Sequence, residues 1–154
     1  MISLPTTDQV ILDCRRELLE IIGPEVHSDA AKVSVQMLEN VLRNAATRAA
    51  HEIAWMRDET VAMEAYAKDV LATVPTAKGI VEALGALDAG PRQSLHLGDM
   101  ACTYSLASEA LSCALEAALA AGNSDLSARA HALLAGRSAT EVQIMGEWGF
   151  VGRG

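Results

Sequence analysis

A long stretch without glycine or proline, from Glu25 to Val74, constrains the fold of this chain more than any other feature. With successive side chains about 100° apart, one helical face collects an unbroken apolar series. Its members are Leu38, Val41, Leu42, Ala45, Ala49, Ile53, Met56, Thr60, Met63, Ala67, Val70, Leu71 and Val74. Because the phase does not slip, the pattern predicts one long helix from Asp29 to Val74, ended by Pro75.

Such a helix is too long for a compact monomer of this size. It would extend about 69 Å, whereas a compact domain of 154 residues has a radius of gyration of only about 15 Å. Either the helix kinks near 44–47, or a second subunit covers its exposed part. The second alternative predicts a homodimer with a helical interface.

The remaining segments also read as helices, and no strand pattern appears. Thr6 and Gln9 form a capping box that opens the first helix, which Gly23-Pro24 is expected to end. We expect a third helix from Pro75-Thr76 to Ala89. A fourth, from Ser94 to Ala121, is apolar on nearly every side and is therefore expected to be buried. A fifth begins at Ser124 or Asp125; it is either continuous or interrupted at Gly136, in which case a short sixth helix runs from Ala139 to about Glu147.

The predicted fold class is therefore all-α: a single-domain helical bundle of five to six helices with one long second helix. The domain spans residues 1–154, with a flexible, glycine-rich tail at 145–154. Twenty acidic residues against twelve basic ones give a net charge of −8, which disfavours binding to nucleic acid or to anionic membranes. Three widely spaced cysteines and no leader-like segment predict a soluble, cytoplasmic protein.

The densest polar cluster on the long helix lies between Arg48 and Glu59. Steps of four, three and four residues place Arg48, Glu52, Trp55 and Glu59 along one stripe. A carboxylate on a core-facing stripe needs a partner, since burying it alone is costly. One interpretation is a structural Arg48–Glu52 ion pair; another is a pocket in which Glu52 or Glu59 works as a general acid or base.

The site hypothesis has two groups of residues. The candidate catalytic residues are Glu52, Glu59, Arg48 and His51, and the candidate substrate-binding residues are Trp55, Tyr66, Tyr104 and Glu109. A contact with a partner or a second subunit is a third interpretation of the stripe. A second polar stripe on the fourth helix, Ser105, Glu109, Ser112 and Glu116, is expected to face solvent or a partner.

Motifs for metal or cofactor chemistry are missing from the sequence. No histidine follows a glutamate by three residues as in di-iron bundles, and His51-Glu52 lacks the second histidine of a zinc-protease helix. We therefore expect no metal and no cofactor. The favoured function is a cofactor-independent enzyme or binder for a small apolar molecule, with a carboxylate acid or base as in a lyase, isomerase or epoxide hydrolase. The alternative is a non-enzymatic helical accessory protein that pairs with a partner chain.

Overall fold

A computed structural model describes residues 4–145, and this part of the chain is helical without a strand. The elements are α1 (Thr7–Glu17), a π-helical turn (Leu18–Ile22), α2 (Gly23–Glu25), α3 (Asp29–Thr73), α4 (Lys78–Ala89), α5 (Leu97–Ala121) and α6 (Ser124–Met145). The prediction of an all-α fold with one long helix is confirmed. The chain divides into a first compact unit, described residues 4–52 and 142–145, and a second, residues 53–141. The single-domain assignment stays a prediction.

The first helix begins as predicted but does not end as predicted. The backbone N–H of Thr6 donates to Gln9 Oε1 at 2.9 Å, which completes the capping box. Gly23-Pro24 does not stop the helix, because the chain widens into a π-helical turn in which Gly23 N–H donates to Leu18 O, five residues back. Pro24 then lies in the first turn of α2, which continues directly from the π-helical turn. Helical geometry ends at Val26, which is extended.

The long helix α3 has 45 residues and is helical through residues 44–47. The choice between a kink there and a covering second subunit stays a prediction. Ser28 caps its beginning, since Ala31 N–H donates to Ser28 Oγ at 3.3 Å. The helix ends just before Pro75, as the sequence predicts.

Apolar side chains of α3, α4, α5 and α6 form the core of the second unit. The most deeply buried are Met63, Tyr66, Ala67, Val70, Ile80, Leu87, Ala107, Ala110, Leu111, Ala114 and Ala118. Small alanines along α5 let its neighbours approach closely. The prediction that α5 is buried all round is wrong, because Leu97, Cys102 and Leu119 on its other sides are exposed. The stripe Ser105, Glu109, Ser112 and Glu116 is exposed, as expected of a solvated side.

Of the two alternatives for the segment after Ser124, one helix or two, the structure has one, so Gly136 does not interrupt it and no separate helix begins at Ala139. Helix α6 continues from Ser124 to Met145, and Thr140 Oγ1 donates to the carbonyl of Gly136 at 3.3 Å. A single glycine costs a helix only about 1 kcal/mol, which packing of α6 against the core offsets. The predicted tail beyond residue 145 lies outside the described residues. Within the described part, none of the helices is long and apolar enough to cross a membrane.

Candidate functional site

Three helices of the second unit bring together a carboxylate, a phenol and a guanidinium. Tyr104 on α5 donates its hydroxyl hydrogen to Glu59 Oε2 on α3 at 2.6 Å. Arg137 on α6 donates from Nη2 to the Tyr104 hydroxyl at 2.8 Å, and its Nε lies 3.3 Å from the same Glu59 oxygen. The Arg137 guanidinium also lies 5.6 Å from the centroid of the Tyr104 ring, within the range of a cation–π contact.

This cluster is partly shielded from water. The side chains of Glu59 and Arg137 are 18% and 27% exposed. Burial and the hydrogen bond to Glu59 raise the pKa of Tyr104 above its ordinary value, while the nearby Arg137 charge opposes that shift. The phenol therefore keeps its proton at neutral pH and donates it in the hydrogen bond to Glu59.

A cleft of about 310 Å³ opens beside the cluster, between α3 and α6. We name it the Glu59 cleft; its lining consists of Asp58, Glu59, Ala62, Met63, Ala132, Leu133, Gly136, Arg137 and Thr140. Apolar side chains make up much of the wall, and the carboxylate and the guanidinium are at its edge. An added Cβ on Gly136 would meet nothing within 4 Å, so this glycine leaves open space there.

The earlier part of the predicted stripe, which lies in the first unit, has a different arrangement. Arg48 donates from Nε to Glu52 Oε1 at 3.0 Å, the i,i+4 pairing of the structural interpretation. His51, four residues before Trp55, is exposed, and Trp55 in the second unit is half-buried. Both residues make further contacts in the structure.

The candidate substrate-binding residues do not form one group. Tyr104 belongs to the cluster with Glu59, whereas Tyr66 is 2% exposed and donates its hydroxyl hydrogen to the Leu126 carbonyl at 3.2 Å. Burial raises the pKa of Tyr66. Glu109 is exposed on α5. Of the predicted residues, Glu59 and Tyr104 thus contact each other directly between α3 and α5.

The sequence did not identify Arg137 as a site residue, and it also did not identify Glu64, a buried carboxylate one turn beyond Thr60. Glu64 is 8% exposed and accepts hydrogen bonds from Lys68 Nζ at 2.6 Å and from Arg92. Burial by itself would raise the pKa of Glu64, but the hydrogen bonds and charges of Lys68 and Arg92 bring it below its ordinary value. The Glu64–Lys68 spacing of four was the available signal; Arg92 comes from the loop before α5.

These local arrangements are the basis for assigning a function, because no family model, no curated protein and no solved structure matches the chain. Within residues 4–145, the His, Cys, Asp and Glu side chains do not form a group of three that could hold a metal ion. The lining of the Glu59 cleft carries the Glu59 carboxylate and the Arg137 guanidinium, and the Tyr104 hydroxyl is hydrogen-bonded to both.

Proposed function

We propose that the protein is a cofactor-independent enzyme that transfers a proton to or from a small, largely apolar substrate in the Glu59 cleft. The observation that carries the proposal is the fixed position of the Glu59 carboxylate at the edge of the cleft. Tyr104 and Arg137 both contact its Oε2. The other oxygen, Oε1, is the one that can accept a proton from a molecule in the cleft.

The three side chains have complementary roles in this reaction. Glu59 is the general base, and the Tyr104 hydroxyl is a positioning group that holds the carboxylate in place. Arg137 lines the cleft as well as contacting Glu59. Its remaining N–H groups can donate to an oxygen that gains negative charge in the transition state.

When the substrate is a carbonyl compound, Glu59 takes the proton from the carbon next to the carbonyl. The electron pair of the broken C–H bond forms a C=C bond, and the π pair of the C=O bond moves to the carbonyl oxygen, which gives an enolate. Return of the proton from Glu59 to a different carbon gives an isomer. In a lyase reaction, collapse of the enolate forms a C=C bond to the β carbon and expels a leaving group with its bonding electrons, and that group takes the proton from Glu59. An epoxide hydrolase needs water as a second reactant: Glu59 takes a proton from water, the water oxygen bonds to an epoxide carbon as its C–O bond breaks, and the resulting alkoxide takes up the proton.

The lining limits the substrate. A volume of about 310 Å³ is at the small end of ligand sites. The apolar side chains of Ala62, Met63, Ala132 and Leu133 favour a hydrocarbon body with one polar group. The exposed edge with Glu59 and Arg137 is where that polar group would lie.

Exchange of substrate hydrogen with solvent deuterium tests this proposal even when the product of the reaction is not identified. Small ketones, aldehydes and thioesters are incubated with the protein in D₂O, and loss of the α-proton signal is followed by NMR. We expect catalysed exchange for at least one of these classes. Glu59→Gln should slow it by about 10²–10⁴-fold, the usual contribution of a general base.

Glu116→Gln on the exposed side of α5 is the matched control, since it makes the same chemical change away from the cleft. It should leave the exchange rate unchanged. The proposal is wrong if none of the probes exchanges faster than in buffer, or if Glu59→Gln exchanges as fast as the original protein.

The predicted homodimer is a separate proposal, supported by the first unit. Its segment 10–41 exposes nine large apolar side chains: Val10, Leu12, Leu19, Ile21, Ile22, Val33, Met37, Leu38 and Val41. Homodimer interfaces are more apolar than the rest of a protein surface, with about 65% of their area apolar. A second copy of this chain, which carries the same nine side chains, would cover them.

Four of these residues, Val33, Met37, Leu38 and Val41, lie within about 140° of one another around α3. Sedimentation equilibrium should give a dimer mass, and Met37→Glu should convert the dimer to a monomer. Val81→Glu, at an exposed apolar position of α4, should leave the mass unchanged. A monomer mass for the unaltered chain at micromolar concentration would rule the dimer out.

A further inference from the structure

A second concavity lies elsewhere on the second unit, and the Glu59 mechanism does not use it. Its volume is about 320 Å³, and we name it the Arg57 pocket. The lining residues are Arg57, Thr60 and Val61 of α3, Arg92, Gln93 and Leu95 of the loop before α5, and Met100 and Thr103 of α5. It shares no lining residue with the Glu59 cleft.

The charged side chains that line this pocket are basic, and one of them is paired with acids outside the lining. Two arginines line it and no aspartate or glutamate does, although the chain carries a net charge of −8. Arg57 forms no ion pair with the described residues. A guanidinium in a concave site without a carboxylate partner favours an anionic ligand.

Arg92, the second arginine of the pocket, is held in place by two acidic side chains that do not line the pocket. Arg92 donates from Nη2 to Glu64 and from Nη1 to Asp88, and neither acid lines the pocket. Each of these nitrogens carries a second N–H, and Nε carries another. Arg92 can therefore keep both carboxylate contacts and still donate to a ligand, with little loss of side-chain freedom on binding.

Neutral groups on the wall add hydrogen-bonding capacity. Thr60, one turn after Arg57, is 6% exposed, and its Oγ1 is buried without a hydrogen-bond partner among the described residues. A buried hydroxyl without a partner is unfavourable, and a ligand that supplies the partner removes that cost. The hydroxyl hydrogen rotates freely about the Cβ–Oγ1 bond, so this hydroxyl can donate to a ligand oxygen. Gln93 supplies an amide on the same lining.

From this combination we infer that the Arg57 pocket binds a small organic anion. Its carboxylate or phosphate is recognised by Arg57 and Arg92, and its short apolar part packs against Val61, Leu95 and Met100. Both head groups accept the planar, forked donors of arginine. The inference does not depend on the chemistry of the Glu59 cleft.

The test is an NMR titration of the full chain with ¹³C-labelled methionine methyl groups. Met100 lines this pocket and is 3% exposed, and its resonance is assigned by its loss in Met100→Leu. The probes are hexanoate, butyl phosphate, inorganic phosphate and the neutral hexanamide. We expect hexanoate or butyl phosphate to shift the Met100 resonance with saturation and to bind more tightly than hexanamide and inorganic phosphate. Which of the two binds more tightly identifies the head group.

The charge variants locate the interaction. Arg57→Gln should weaken binding about 3- to 10-fold, the range for a charge-assisted contact at a partly exposed site. Arg43→Gln makes the same change of net charge on α3 in the first unit and should bind like the original protein. Because Arg57 has no ion partner among the described residues, its replacement should not unfold the chain.

Four results would overturn the inference. The first is a Met100 resonance that no anion moves at millimolar concentration. The second and third are hexanamide that binds as tightly as hexanoate and butyl phosphate, and inorganic phosphate that binds as tightly as either organic anion. The fourth is anion binding that is weakened equally in the Arg57 and Arg43 variants. The last result would mean that the anion responds to overall charge rather than to this pocket.

Discussion

Replacing Tyr104 by Phe removes the hydroxyl that joins Glu59 to Arg137 and keeps the aromatic ring. The lost contact is a 2.6 Å hydrogen bond to a carboxylate whose side chain is 18% exposed. Hydrogen bonds to charged groups contribute about 1.5–3 kcal/mol, and partial access of water reduces this to about 1–2 kcal/mol. For a protein of this size the melting temperature should fall by about 2–8 °C. Urea unfolding followed by circular dichroism measures the change, with an unchanged m value.

A double-mutant cycle tests whether the loss comes from the contact with Glu59. Glu59→Gln, Tyr104→Phe and the double variant should show a coupling free energy of about 1 kcal/mol, because the two side chains share one hydrogen bond. The control cycle pairs Tyr104→Phe with Glu116→Gln and should be additive within about 0.5 kcal/mol. Additivity in the Glu59 cycle would refute the view that Tyr104 holds the base in position.

Three further predictions concern the second unit. Leu87→Ala should lower the free energy of unfolding by about 2–5 kcal/mol in urea, since this core side chain is 0% exposed and leaves a cavity. Gly122→Ala should cost about 1–2 kcal/mol in the same assay, because Gly122 ends α5 with φ of 63°, a left-handed conformation. The pKa of Glu64 in the folded protein is below its ordinary value. The ionised Glu64 side chain therefore stabilises the folded state at a pH above the pKa that it has in the unfolded chain, and this stabilisation is lost as the pH falls through the lower pKa of the folded state. Glu64→Gln should therefore flatten the decline of stability with acid pH, and an unaltered pH profile would contradict the assigned ion pairs.

The sequence predicts the helices well where local chemistry decides. The apolar phase, the absence of breakers and Pro75 define α3, and Thr6 with Gln9 defines the first capping box. The effects of Gly23 and Gly136 are harder to predict from the sequence, because the surrounding structure decides whether a glycine ends a helix. A π-helical turn accommodates the first, and packing of α6 offsets the cost of the second.

The candidate site is only half predictable for a similar reason. Glu59 and Tyr104 are recognisable as polar side chains on apolar helices, and both appear among the predicted residues. Arg137 is not, because nothing in the local pattern of α6 indicates that it reaches a tyrosine 33 residues earlier in the chain. The Arg57 pocket depends on the loop that carries Arg92 and Leu95, whose path the helical periodicity does not define.

The most direct test of the proposed function is an NMR titration that shows where an exchanging substrate binds. Met63 lines the Glu59 cleft, whereas Met100 lines the Arg57 pocket, so their ¹³C-methyl resonances report on the two sites separately. The compound with the fastest deuterium exchange should shift Met63, leave Met100 in place, and still bind to Glu59→Gln, in which exchange is lost. If that compound exchanges while the Met63 resonance stays unmoved, proton transfer takes place elsewhere and the assignment of Glu59 as the base is wrong.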